Sequence, residues 1–408
     1  MLRRSSLVET AAFLLVLAGA LTYAAAQVPP AGGYQMAADE GVYYSQATAI
    51  AQAGPRAFAA LGDIYVSNEA LQMGPAPLRI GHLVAAAIVL LVNPSVTALS
   101  GLSIVCYALL CVAVFSFAGR LWDGRTAAVA GIFAAVSPLG WGLATRALMD
   151  TDHALFSVLS LFLFIVWLST GRERHFIVFA AVLWWCLLVK ETAWVYVPFA
   201  VGTMLVRKLA GRNGIRARHI LIVAVAVPAA AAAVYALAFG GIGRALAVIE
   251  TAQRANVARP NAYLVATGSG PWYEYLVDFV LLSPPVAILF LMFCGRFVAV
   301  RRRDLAMVIV LLFVCYATAW LALVPKNPRF ALPLDPLLRL CAASMVVATV
   351  AELRLRATAR AMILVALVLL VVGSDARAFR HYFVTHGIYD PVAVNLLAAE
   401  KFLPAPSR

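Results

Sequence analysis

Charge is what this sequence has least of. Only 12% of its 408 residues are Asp, Glu, Lys or Arg, against 63% apolar. A soluble globule has no use for that much apolar surface, so the composition excludes one and describes a polytopic membrane protein. There is no convincing internal repeat and no low-complexity linker. Neither GxxxxGK[ST] nor HExxH occurs, so the sequence carries no P-loop and no helix-borne zinc protease motif. The six cysteines, Cys106, Cys111, Cys186, Cys294, Cys315 and Cys341, all fall inside apolar runs. A thiol there behaves as a small hydrophobe, and neither a disulfide framework nor a CxxC metal site is suggested.

What is present is a dozen apolar runs near the length of about 20 residues that crosses a bilayer. They cover roughly 7–26, 78–93, 96–118, 126–140, 153–169, 175–189, 192–206, 219–240, 274–295, 305–324, 330–350 and 358–373. The first ends in small residues resembling a signal-peptidase site but is long enough to be read as an uncleaved anchor. If every run crossed, the basic loop at 207–219 would face outward, against the rule that short basic loops stay in the cytoplasm. The run at 78–93 resolves this. It is short, opens GPAPLR and ends NPS, as expected of a helix lying in or dipping into the outer leaflet.

Eleven spans then alternate consistently. MLRR, GRLWDGR, GRER, the 207–218 loop, GRFVAVRRRD and ELRLRATAR all fall inside, holding 18 of the 32 Lys and Arg; of the 19 acids only Asp123, Glu173, Asp304 and Glu352, with Glu9 at the start of the first run, belong with them. The net charge of +13 is therefore a record of orientation, not a nucleic-acid surface. The expected fold is all-α, with about 11 transmembrane helices, a re-entrant or interfacial helix, and an amphipathic helix in the first outer loop. The transmembrane domain covers 1–373, with outer segments at 27–95 and 241–273, and 374–408 is a short extracytoplasmic tail.

The remaining acids gather outside, and there the chemistry is expected. Asp39 and Glu40 open the pattern AADEGVYYSQATAIAQAG, in which Val42, Ala47 and Ile50 suggest a surface helix. Acids in a first helical turn also favour the helix dipole, but a carboxylate at an apolar boundary can serve as a general base. In RALMDTDHALF one carboxylate suffices to cap the helix that follows. A second, Asp150 with Asp152, beside Arg146, suits a metal or a positioned polar acceptor. His153 could join them, or be simply solvated. Lys190 and Glu191 interrupt apolar sequence at an outer turn, as a pair or as a cation for a phosphate. In PKNPRFALPLDP, Lys326 and Arg329 offer phosphate ligands or interfacial anchors, while Asp335 and Arg339, spaced i, i+4, read as a structural pair. Trp272, Tyr273 and Tyr275 are an aromatic belt, or a stacking surface for sugars and isoprenoids.

These motifs, in this order, resemble the GT-C superfamily of membrane glycosyltransferases, particularly the bacterial branch similar to protein mannosyltransferases and the lipid A aminoarabinose transferase. The likeness spans about 7–350. RALMDTDHAL also resembles the second acidic motif of oligosaccharyltransferases, but no WWDYG-type sequence occurs and the tail is too short for their large outer domain.

The resemblance implies a sugar carried on polyprenyl phosphate or pyrophosphate, transferred to a hydroxyl of a lipid, glycan or protein. The setting would be the plasma (inner) membrane, with the site on its periplasmic side. Asp39 would be the general base, assisted by Glu40. Asp150 and Asp152 would orient the acceptor, or hold a divalent metal such as Mg or Mn. Lys190, Arg329, Lys326 and Arg146 would neutralise the phosphate, and Tyr43, Tyr44, Glu191, Trp272, Tyr273 and Tyr275 would line the substrates. Asp39, Asp150 or Asp152, Lys190 and Arg329 are expected in one outward cavity. Two other readings compete. A lipid-sugar transporter or flippase would place its charges near the midplane and repeat its halves. An O-antigen-type polymerase or ligase would work through a larger outer loop with Arg and His.

Overall fold

The computed structural model describes residues 7–27, 39–211, 214–258, 271, 273–300, 304–323 and 327–385. Among these the only regular secondary structure is helix, with no strand. The helices are α1 (Leu7–Gln27), α2 (Asp39–Ala53), α3 (Ala57–Ser67), α4 (Ile80–Val92), α5 (Val96–Leu121), α6 (Gly124–Ala135), α7 (Pro138–Ala144), α8 (Asp150–Thr170), α9 (Glu173–Val189) and α10 (Tyr196–Leu209). They continue as α11 (Ala217–Ala238), α12 (Ile242–Ala258), α13 (Glu274–Leu282), α14 (Pro284–Ala299), α15 (Leu305–Leu321), α16 (Asp335–Glu352) and α17 (Ala357–Thr385).

Five of these are long and apolar enough to cross a membrane, and seven if each of two bent pairs counts as one span. The eleven expected crossings are not all single long helices, and the breaks have local causes. Pro138 cannot continue the i→i−4 ladder, so the run at 126–140 becomes α6 and α7, bent by 55°. Ser137 caps the second piece by accepting the Gly140 N–H. Pro284 and Pro285 likewise turn α14 by 118° from α13. Helix α4, at 13 residues, is only about 20 Å long, too short for a hydrocarbon core of about 30 Å, as the 78–93 stretch suggested. The outer segment at 241–273 is not a bare loop, since α12 occupies its first half. Helix α17 runs through residue 374 without a break.

The chain divides into two compact units. The first comprises residues 1–29, 104–145 and 266–408. In it α6 packs on α1 and α16. Lipid tails are as apolar as leucine, so such contacts depend on small residues that let backbones approach. Helix α6 supplies them in Ala127, Ala130, Gly131 and Ala134, and α16 answers with Ala342 and Ala343, all buried.

The second unit comprises residues 30–103 and 146–265. Here α2 packs on α4, α4 on α9, and α8 along α9. Glu40, Tyr43, Ala47 and Ile50 face inward along α2 at helical spacing, so the anticipated amphipathic face is there, with Val42 at its margin. Gly81 lets α4 close on the end of α9: a Cβ there would stand 3.1 Å from the Leu188 carbonyl carbon and from the Val189 nitrogen.

Candidate active site

The second unit assembles a ring of buried charge from the starts of α2, α4 and α8 and the end of α9. Glu40, in the first turn of α2, is 2% exposed. Arg146, just ahead of α8, grips it side-on, Nε to Oε1 at 2.7 Å and Nη2 to Oε2 at 2.9 Å. The Ala147 N–H adds a third bond at 3.0 Å. A planar guanidinium suits this two-pronged hold, and it ties the start of α2 to the start of α8. Asp39, one residue earlier, is half-buried.

The Asp-x-Asp pair does not cap α8. The N-cap is Met149, whose side chain makes no capping bond. Asp150 instead reaches Lys190, with Nζ 2.7 Å from Oδ1 and both side chains almost fully enclosed. Lys190 arrives there because α9 ends on it in an extended conformation. Asp152 accepts from His82 Nδ1 at 2.9 Å through one oxygen and from the His153 N–H at 2.9 Å through the other. His153 Nε2 lies 3.2 Å from the Thr192 hydroxyl.

At the rim, Arg79 donates to Glu191 through Nη2 at 3.0 Å and Nε at 3.4 Å, and its guanidinium lies 5.4 Å from the centre of the Tyr43 ring. Desolvation pushes the Glu191 carboxyl up, but the Arg79 guanidinium outweighs it and holds it down at about 2. That side chain is 58% exposed, so water screens the pair and keeps its energy small.

Of the predicted residues, Glu40, Tyr43, Arg146, Asp150, Asp152, Lys190 and Glu191 thus enter this network. Tyr44 points elsewhere, its hydroxyl donating to the Pro94 carbonyl at 3.1 Å. Arg329, Tyr273 and Tyr275 belong to the first unit. There the Tyr275 hydroxyl accepts the Asn327 N–H at 3.2 Å, and Arg329 lies against the Phe330 ring. Lys326 and Trp272 lie outside the described residues. Sequence reasoning missed Arg79 and His82. Their signal was present in LRIGH: two basic residues spaced i, i+3 at the mouth of an otherwise apolar helix.

The pairing bears on a metal. The Asp150 and Asp152 carboxylates face an ammonium and an imidazole, and the described residues contain no group of three or more His, Cys, Asp or Glu able to hold an ion. These residues do not fit a divalent metal, and no step below passes through one.

With this geometry in hand, the likenesses to known proteins take on meaning. The family model described as dolichyl-phosphate-mannose-protein mannosyltransferase matches residues 77–237, which include α4, the Asp-x-Asp turn and Lys190. No curated protein sequence matches. Among solved structures, ArnT from Cupriavidus metallidurans bound to undecaprenyl phosphate is similar at 14% identity and a TM-score of 0.54, covering 94% of this chain and 74% of that one. The oligosaccharyltransferase of Archaeoglobus fulgidus is similar at 13% identity and a TM-score of 0.58, covering 97% of this chain and 57% of that one. A second structure of that oligosaccharyltransferase, in complex with Zn and sulfate, is similar at 14% identity and a TM-score of 0.57.

The class these findings define is a helical membrane protein resembling the GT-C glycosyltransferases in fold. The family match adds a likeness to protein mannosyltransferases over residues 77–237, less than half of the chain.

Proposed function

We propose that this protein transfers a sugar from a polyprenyl phosphate to a hydroxyl of a lipid, glycan or protein on the extracytoplasmic face of the membrane. The observation that carries the reading is the ring of buried polar contacts formed by the ion pairs Glu40–Arg146 and Asp150–Lys190 and the Asp152–His82 hydrogen bond. It stands in a fold shared with a protein bound to undecaprenyl phosphate.

In the reaction the acceptor oxygen attacks the anomeric carbon as the bond from that carbon to the phosphate oxygen breaks. The phosphate leaves with the electron pair, and the acceptor proton passes to a carboxylate base, for which we assign Asp39. Glu40 fixes the turn that carries Asp39. Lys190 and Arg146 stabilise the departing phosphate. An ammonium has three N–H donors and a guanidinium five, so holding a carboxylate does not exhaust either. The sequence motif PKNPRF adds Arg329 and Lys326 as expected phosphate ligands, and the Asp-x-Asp turn orients the acceptor. The outward placement is supported by the basic residues crowded into the alternate short loops.

The test compares, by mass spectrometry, the surface glycolipids and glycoproteins of cells lacking the protein with those of cells complemented by the native chain or by Asp39→Asn. The expected result is one sugar lost in the deletion and restored by the native chain, while Asp39→Asn, at equal expression, supports transfer some 100- to 10,000-fold more slowly. Full restoration by Asp39→Asn removes the base assignment. No change in the deletion, with movement of a labelled lipid-linked sugar across vesicles holding the purified protein, makes it a transporter.

A further inference from the structure

His82 Nε2 and Arg79 Nη1 are both enclosed and without a hydrogen-bond partner among the described residues. They open α4 at a spacing of three, which puts them on one face, and helical side chains lean back over the first turn. Both pack on Tyr43. The imidazole meets its ring edge-on at 5.1 Å between centres, and the guanidinium lies 5.4 Å from its centre.

Their other nitrogens are fixed. Nδ1 of His82 is 2.9 Å from an Asp152 oxygen, and a carboxylate there selects the tautomer with the proton on Nδ1, which leaves a lone pair on Nε2. Nε and Nη2 of Arg79 are held by Glu191. The face therefore presents one acceptor and one donor beside an aromatic ring.

An enclosed polar atom with no partner is costly and rare, and a site keeps one when a ligand completes it. A phosphate is the wrong ligand, because its oxygens would meet the Nε2 lone pair. Hydroxyls fit: one donates to Nε2 while the oxygen of its neighbour accepts from Nη1, with the ring as an apolar wall for the C–H face of a sugar. We propose that Arg79, His82 and Tyr43 form the subsite that reads two neighbouring hydroxyls of the transferred sugar, with Asp152 and Glu191 as positioning carboxylates. The proposal rests on the transferase reading above and names the chemistry of its donor.

The test uses the purified full-length chain with polyprenyl-phosphate-linked glucose, mannose and arabinose and their single-deoxy derivatives. The native chain should transfer at least one parent sugar and reject two of its deoxy forms, those lacking adjacent hydroxyls, by roughly ten- to a hundredfold in kcat/KM. In His82→Asn an amide N–H can still reach Asp152 while the Nε2 acceptor is gone. It should slow with the parent donor by a similar factor and treat one of those deoxy donors as the equal of the parent. Arg79→Met should do the same for the other hydroxyl. Each ratio is taken within a single variant, so a misfolded fraction cancels. Discrimination unchanged in both variants, or a native chain that transfers a sugar yet accepts every deoxy form equally, overturns the subsite alone. A native chain that transfers none of these sugars overturns the subsite and the transferase reading together.

Discussion

Arg339 in the first unit and Arg146 in the second are both buried arginines that grip a carboxylate side-on, yet they stand at different places in their helices. Arg339 lies inside α16. Its Nε is 3.0 and 2.8 Å from the two oxygens of Asp335, and its Nη1 donates to the Phe133 carbonyl and to Asp375, which also accepts from the Ser283 hydroxyl. Every partner comes from α6, α16, α17 or the bend at Ser283. Arg146 and its neighbours, by contrast, sit where α2, α4 and α8 begin and α9 ends. Arg339 draws three helices onto one charge, whereas the second unit gathers several charges, each with its own partner, where three helices start and a fourth ends. Burial of an ion pair therefore does not by itself mark a site; the gathering of several at helix ends is what sets the second unit apart.

The sharpest way to break this contrast is to remove the charges and then replace them with apolar groups. Arg339→Met leaves Asp335 and Asp375 facing one another unpaired and should cost about 3–5 kcal/mol, read as a lower denaturation midpoint in detergent. Adding Asp335→Leu and Asp375→Leu should recover the fold, since apolar replacements of a whole buried network are often neutral or better, and transfer should return with it. The matching treatment of the second unit, Lys190→Met with Asp150→Leu, should recover folding but not transfer. If transfer returned there too, the pair at the start of α8 would be as structural as the one in α16.

How much of this could be read in advance follows the same division. Asp335 and Arg339 were legible as a structural pair because a four-residue spacing is a local signal. The third member, Asp375, was not, because it reaches Arg339 across 36 residues from a segment read as a tail. In the second unit the acids were legible because Asp39, Glu40, Asp150 and Asp152 interrupt apolar sequence, which only a purpose explains. Their partners were not assignable. Glu40 finds Arg146 across 106 residues and Asp152 finds His82 across 70, and His82, lying within IGHLVAAAIVLL, reads as an ordinary core histidine. Hydropathy located the apolar runs but not the breaks at Ser137 and Ser283, since runs of this composition look continuous whether or not a proline bends them.

A smaller effect tests whether the mouth of the second unit needs its close packing. Gly81 has the end of α9 against it, and a side chain there meets backbone atoms, which cannot swing aside. Gly81→Val should cost about 1–3 kcal/mol as overpacking and should lower kcat more than the stability loss predicts, because pushing α4 from α9 moves His82 and Arg79 away from Asp152 and Glu191. Loss of stability alone, with the kcat of the folded fraction intact, would show that the spacing is merely structural.

The smallest effect separates the rim from the buried ring. Glu191 is exposed enough for water to screen its pair with Arg79, so Glu191→Gln should cost no more than about 1 kcal/mol, far less than the loss of any enclosed partner. The sign with pH is set by the direction of its shift. Because Arg79 holds the folded carboxyl at about 2, below its value of about 4.3 in an unfolded chain, the pair's contribution is fully present above that value. It fades as the pH falls from there through about 2. Denaturation midpoints of the native chain and Glu191→Gln should therefore differ at neutral pH and converge towards pH 2. A gap that persists at the acid end would mean that Glu191 stabilises the mouth through packing rather than charge, and the rim would then belong with the first unit's kind of structure.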